Sequence, residues 1–518
     1  MKNKLLAVLF AALCFSSLSA QKKLTNPVIY ADVPDMSMIR VGDTYYMSST
    51  TMHMIPSVPI MKSKDLANWE VASYALPFLA DIDAMNLTNG KTAYGAGTWA
   101  SSLRYNKGTF YLSVFSSTTG KSYICTTKDP SKGDWKTHIL PRSLHDQSLC
   151  FEEDGKIYLI YGGGRLNIIE VKPDLSDFVP GSEKVLIENA STPGGDRGLN
   201  AEGSQLFKHG GYYYLFNISW PSGKCRTVLV HRATSIMGPW EGRVAFQDQG
   251  VAQGGVVDTP DGRWFAYLFQ DHGSVGRIPY LVPMKWENGW PVIGVDGKVP
   301  ETLDLPASKG LIPGIVNSDE FTRKSGEPKL PLVWQWNHNP LEGFWSVDAR
   351  KGYLRLTTGR IDTIFVNARN TLTQRTIGPE CTGYASFDVT NMKVGDVAGL
   401  GLLQKKFGQV GVRYAEDGKY IIMISGQGRT PVEVAKLPLT QKNLYVKIQC
   451  DFVEKKDVAE FFYSLDGKKW TKIGNQLKMN YDMPHFVGYR FGLFNYASKT
   501  LGGYVDFDYF RIENKITR

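Results

Sequence analysis

Residues 201–219 read AEGSQLFKHGGYYYLFNIS: an acid, Ser two positions on, a Gly-Gly pair, then an alternating aromatic run. Gly-Gly supplies the positive φ of a tight hairpin turn, and the run after it has the aromatic bias of a strand. The expected unit is a β-hairpin. The same order recurs as VGDTYYMSST around Gly42, NKGTFYLSVFS around Gly108, EDGKIYLIYGG around Gly155 and PDGRWFAYLFQ around Gly262. The turn glycines lie 66, 47, 55 and 52 residues apart, close to the length of a four-stranded propeller blade. Five units predict an all-β chain with a five-bladed β-propeller over residues 21–314. A β-sandwich built from the same hairpins is the competing architecture.

The segment before each turn is the expected leading strand. These segments carry Asp35 in PDMS, Trp99 in TWAS, Asp146 in HDQS, Glu202 in AEGS and Gln253 in AQGG. The three acids precede their turn glycines by 7, 9 and 8 residues, about the same phase of the repeat. First strands line a propeller's axis, so these side chains are expected to converge at one mouth of the channel. Asp and Ser near a strand start are often turn caps. Recurrence at one phase favours a shared site over three separate caps.

After Gly262 the rhythm breaks in the Pro-containing connector KVPETLDLPASKGLIPGI. Short alternating strands such as GYLRLTTG, TGYASFDVT, KYIIMIS and LYVKIQCDF then predict an antiparallel β-sandwich over residues 315–518.

The opening MKNKLLAVLFAALCFSSLSAQ has Lys2 and Lys4, an apolar run and small residues, the order of a secretory signal over residues 1–20. A secreted protein, periplasmic or extracellular, is expected. No later stretch offers the ~18 uninterrupted apolar residues of a membrane helix. Net charge is +9, spread without blocks of like sign, which speaks against nucleic-acid binding. The mature cysteines are Cys125, Cys150, Cys225, Cys381 and Cys450, widely spaced and without CxxC. Neither a disulfide framework nor a zinc knuckle is indicated; buried thiols are expected, with one disulfide open.

Paired carboxylates on a concave surface suit acid/base work on an acetal. One protonates the leaving oxygen, another activates water or attacks, and a third raises the donor's affinity for its proton. GxSxG and HExxH are both absent from the sequence.

Several stretches together resemble glycoside hydrolase family 43, in its arabinofuranosidase and xylosidase members with a C-terminal β-sandwich. They are NPVIYADVPDMSMIRVGDTYYMSST, VPIMKSKDLANWE, HDQSLCFEEDGKIYLIYG, AEGSQLFKHGGYYYLFNIS and VVDTPDGRWFAYLFQDHGSVGRIPYLVPMKWENGWPVIG. The resemblance implies a five-bladed propeller, a concanavalin-like jelly roll and an inverting mechanism. It casts Asp35 as general base, Glu202 as general acid and Asp146 as the residue that raises the donor's pKa. It also implies that Trp99 walls the sugar, that Arg277 in VGRIPY contacts substrate and the acids, and that His53 and Gln253 sit at the substrate. No cofactor is implied for the chemistry. Many relatives place a His at Gln253 to hold a central calcium, so a structural ion is left open, with His272 as a substitute ligand.

The expected activity is exo-acting release of terminal α-L-arabinofuranosyl units from plant cell-wall polysaccharide. A β-D-xylosidase or a dual activity is the alternative, and a non-catalytic carbohydrate-binding protein is the reading from a different class.

Overall fold

Five antiparallel sheets of four strands follow one another along the chain, each with its strands in chain order. Their inner strands are Ser37–Val41, Ser101–Asn106, Ser148–Phe151, Arg197–His209 and Ala252–Asp258. Each inner strand touches the next, and the fifth returns to the first, so the ring is closed. This is a five-bladed β-propeller. The computed structural model describes residues 23–195, 197–308 and 314–516; the expected signal segment lies outside the described residues. All five repeat glycines have left-handed φ, from 55° at Gly210 to 91° at Gly155, as hairpin turns require.

The recurring serines bind blade to blade. Ser37 Oγ accepts the Leu103 backbone N–H at 3.0 Å, Ser102 Oγ that of Leu149 at 3.2 Å, and Ser148 Oγ that of Leu206 at 3.0 Å. Each is a buried hydroxyl at a strand start satisfying a backbone donor of the next blade, which fixes the angle between neighbouring sheets. Outside the ring, Lys23–Thr25 pairs with Thr302–Pro306, holding the two ends of the propeller segment together.

The second unit is a sandwich of two large antiparallel sheets. Its first bridge to the end of the chain joins Asp319 to Phe510, and the last strand before it is Thr302–Pro306. The two units are welded. Met54–Ile55 of the first blade joins a sandwich sheet by pairing with Gln335–Asn337. Arg375, buried in the sandwich, donates from Nε to Asp32 O at 2.7 Å. One hydrophobic core runs from propeller residues such as Met47 and Phe265 into sandwich residues such as Phe387 and Phe510. Cys125, Cys150, Cys225, Cys381 and Cys450 are free thiols, with Cys381 and Cys450 facing each other on paired strands.

Candidate active site

The serine-to-leucine hydrogen bonds set the register between blades and correct the reading of equal phase. They equate Met38, Leu103, Leu149 and Leu206, and therefore Ser37, Ser102, Ser148 and Gln205. Asp35 and Asp146 each stand three residues before that leucine-type position, whereas Glu202 stands four before it. The residue aligned with Asp146 is Gly203. Backbone angles agree: Asp35, Asp146, Gly203 and Gln253 have φ of 52°, 48°, 67° and 55°. A left-handed kink recurs in four blades, at the strand entry for Asp35, Asp146 and Gln253 and inside Arg197–His209 for Gly203, and Asp tolerates that conformation better than most side chains. Gly203 suits the kink, and a Cβ there would meet Gln253 Cδ at 2.8 Å and push that side chain aside.

The site consequently has two rungs. Asp35 and Asp146 lie on the kinked rung, and Trp99, His145 and Glu202 occupy the position just before it on three successive blades. Those three neighbours touch in order. Trp99 and His145 meet edge to face with ring centroids 6.0 Å apart, and His145 Nε2 lies 3.1 Å from Glu202 Oε2. His145 Nε2 is also 3.7 Å from Asp146 Oδ2. Asp146 Oδ2 accepts the Gly203 N–H at 2.9 Å, which ties it to the backbone next to Glu202.

Electrostatics divides these groups. Burial pushes the Asp146 carboxyl up to about 7, with Glu202 and Asp35 adding to the rise and His145 opposing it. Burial opposes protonation of His145, but its bond to Glu202 and the charges of Asp146, Glu202 and Asp35 prevail and raise it to about 9. Asp35 is raised by burial and held back by Arg277 and Arg226. Arg277 Nη1 donates to Asp35 Oδ1 at 2.8 Å, its backbone N–H donates to Asp32, and its Nε lies 3.3 Å from Asp271 Oδ1. Arg226 pairs with the same Asp271 at 2.6 Å.

The sandwich completes the site. The segment around residues 481–489 is pinned to the propeller by Gly488 N–H donating to Asp32 Oδ2 at 2.9 Å and Tyr489 N–H donating to Ser274 O at 3.0 Å. It carries Phe486, whose ring lies 5.5 Å from Trp99 and 4.2 Å from the Arg277 guanidinium. Tyr481 packs against Phe486, and its buried hydroxyl has no protein partner. A half-exposed Trp99 and the rings of Phe486 and Tyr481 thus provide apolar faces beside the carboxylates.

Three expectations fare differently. Gln253 lies at the mouth and packs over Gly203. His53 is 0% exposed, wedged between Tyr94 and His338 at the seam with the sandwich, so it does not face a sugar. His272 is no free ligand, because Nε2 bonds Tyr30 Oη at 2.8 Å and Nδ1 bonds Gln270 Oε1 at 2.9 Å. The channel itself holds a cation of the protein's own. The Arg104 guanidinium donates to Ser148 Oγ, Leu149 O and Leu206 O at 2.9 to 3.1 Å, and more weakly to Ser37 Oγ and Gln205 Oε1.

His145, Arg226, Tyr481 and Phe486 were missed in the sequence. The signal for His145 was Gly203, the residue that takes the kink in the fourth blade and so pairs Glu202 with His145.

Comparison with known proteins gives the family of both units. Residues 24–291 match the family model for glycosyl hydrolases family 43, and residues 318–513 match the beta xylosidase C-terminal concanavalin A-like domain. A "Beta-xylosidase" of Formosa agariphila is 30% identical over 94% of this chain and 89% of its own length. A "Non-reducing end alpha-L-arabinofuranosidase" of Bacteroides ovatus is 30% identical over 69% of each chain. A solved structure described as a bifunctional GH43-CE of Bacteroides eggerthii is 64% identical with a TM-score of 0.95; it covers 96% of this chain, which spans 64% of that longer one. This chain therefore belongs to glycosyl hydrolase family 43.

Proposed function

We propose that this enzyme removes single terminal pentosyl units from the ends of plant polysaccharide chains or their oligosaccharides, with inversion at the anomeric carbon. The observation that carries the reading is the closure of the acid-lined mouth by Phe486 and Tyr481 of the sandwich against Trp99 and Arg277. A wall on that side suits a chain end better than a chain interior.

Asp35 is the base that takes a proton from water, kept ionised by its Arg277 partner. Glu202 is the acid that protonates the leaving oxygen. Asp146 in its ionised form, tied to the Gly203 N–H beside Glu202, favours the protonated donor. Inversion needs the base and acid ~6.5 to 9.5 Å apart, and their placement on different blades suits such a gap.

Both pentoses stay in play. Terminal D-xylosyl units are the first substrates to test, because several relatives carry beta-xylosidase names, and L-arabinofuranosyl units are the second. Family 43 hydrolases need no cofactor for catalysis. A structural calcium does not suit this channel: His272 is engaged elsewhere, and a second cation would face the Arg104 guanidinium across oxygens already committed to it.

The test is a panel of p-nitrophenyl β-D-xyloside and α-L-arabinofuranoside with wild type, Glu202→Gln and Asp35→Asn. Glu202→Gln is expected to lose ~100-fold or more on unactivated pentosides and much less on activated aryl ones, the size of an acid/base contribution. Asp35→Asn is expected to be inactive on both. Proton NMR of the first-formed sugar should show inverted configuration; a retained anomer would remove Asp35 from the role of base. Xylan binding without release of either pentose would sink the enzymatic reading of the site.

A further inference from the structure

His145 is not among the three acids, yet its Nε2 lies 3.1 Å from Glu202 Oε2, within hydrogen-bond reach. Its Nε2 and the nearest oxygens of Asp146 and Glu202 all lie within 4.8 Å of one another. Its backbone is fixed, since His145 O accepts the Gly162 N–H at 2.9 Å. Its ring is fixed too, with Phe115 edge-on at 5.4 Å and Trp99 at 6.0 Å. The charged groups facing it are Glu202 from the fourth blade, Asp146 on its own strand entry and Asp35 across the mouth. Its side chain remains 37% exposed, so water reaches it.

We propose that His145 is a positioning residue for the proton donor: its Nε2–H holds Glu202 Oε2 as an acceptor, so the transferable proton resides on Oε1. The inference rests on the reading of Glu202 as general acid. A carboxylic acid can deliver its proton from either oxygen, and a donor fixed on Oε2 removes the wrong choice. Once Glu202 has given its Oε1 proton to the leaving oxygen, the same bond becomes a charge-assisted contact from imidazolium to carboxylate. His145 and Asp146 then act on Glu202 in opposite senses. The Asp146 charge favours the protonated donor before transfer, and the His145 cation favours the carboxylate after it. The proton lost from Glu202 is replaced from water, with His145 keeping its own.

The experiment compares His145→Phe and His145→Gln with wild type on a xylo- or arabino-oligosaccharide and on a 2,4-dinitrophenyl pentoside, across pH. Phe keeps the packing against Trp99 and Phe115 without a donor; Gln restores a donor without a charge. His145→Phe should lower kcat on the oligosaccharide about 10- to 100-fold, the scale of a hydrogen bond to a charged group, with KM within about threefold. On the dinitrophenyl substrate, which needs no proton, kcat should fall less than about threefold. His145→Gln should recover most of the kcat. In both variants the basic limb of kcat/KM should move to higher pH, because the cation that favours the ionised donor is gone. Equal losses on the two leaving groups, or a basic limb that stays in place, would overturn the proposal. Melting temperatures of both variants identify any simple loss of folding, and His145→Gln carries the test where the Phe variant is unstable. Glu202→Gln run alongside separates the two readings. If that variant keeps its activity on the oligosaccharide, the assignment of the donor fails before the role of His145 is reached.

Discussion

Arg277 Nη1 stands 2.8 Å from Asp35 Oδ1, and both side chains are nearly sealed from solvent, at 6% and 5% exposure. The pair joins the fifth blade to the first at the mouth of the channel. Breaking such a pair by removing one partner leaves an uncompensated buried charge, at a cost of about 3 to 5 kcal/mol.

Arg277→Met should therefore act in two ways that depend on pH. Burial already raises the Asp35 carboxyl, and Arg277 is the main influence holding it down. Without the guanidinium the carboxyl rises further, so the ionised base exists only at higher pH and the acid limb of kcat/KM moves upward. Stability follows the same sign. A carboxyl whose folded pKa lies above its unfolded value costs the fold nothing below about pH 4 and penalises it increasingly as pH rises through the folded value. Melting at pH 5 and pH 8 should show the larger loss at pH 8. A uniform loss at both pH values, with an unmoved acid limb, would mean that Arg277 does not tune Asp35.

Phe486 brings the sandwich into the site, where its ring meets Trp99 and lies over Arg277. Phe486→Ala should raise KM for terminal pentosides about tenfold, the scale of one aromatic face lost from the sugar, and lower the melting temperature by a few degrees through the lost contacts with Trp99 and Arg277. Phe486→Tyr should recover most of the affinity. If the alanine variant instead binds internal chain segments and releases oligosaccharides, the wall is what restricts the enzyme to chain ends. If kinetics and products are unchanged, the sandwich serves as a buttress only.

Much of the fold was legible because propeller signals are local. Each hairpin glycine sits beside its own strands, and the five turns take the left-handed φ expected of them. Asp35, Asp146 and Glu202 were legible as recurring acids for the same reason, although Glu202 falls inside its strand rather than at the entry. Their register was not. The Ser two residues after each acid invites alignment of Ser148 with Ser204, whereas the hydrogen bonds from Leu149 and Leu206 align Ser148 with Gln205. That one-residue slip hid His145. Tyr481 and Phe486 were beyond local reading altogether, because the second unit delivers them to the first through Asp32, Ser274 and Gly488. His53 misled for a related reason. The family resemblance placed it at the substrate, but the sandwich's His338 and His485 close over it.

The channel makes the last prediction, which concerns metal dependence. The Arg104 guanidinium reaches acceptors on three inner strands: Ser37 on the first, Ser148 and Leu149 on the third, and Gln205 and Leu206 on the fourth. It thus does from within the chain what an axial ion would do by binding. Burial lowers its pKa, although that of an arginine starts so high that it stays charged at working pH. With Arg104 in the place of an axial ion, extended dialysis against EDTA is expected to leave glycosidase activity unchanged and the melting temperature within about 1 °C. Arg104→Met should strand those oxygens and lower stability by about 3 kcal/mol, from the loss of several charged hydrogen bonds in one place. Added calcium should not rescue it, because the acceptors that Arg104 holds are serines, a glutamine and backbone carbonyls, with no carboxylate among them to match a divalent charge. One equivalent of calcium in the purified enzyme, with a melting temperature that drops on chelation, would show that an ion and Arg104 share the channel after all.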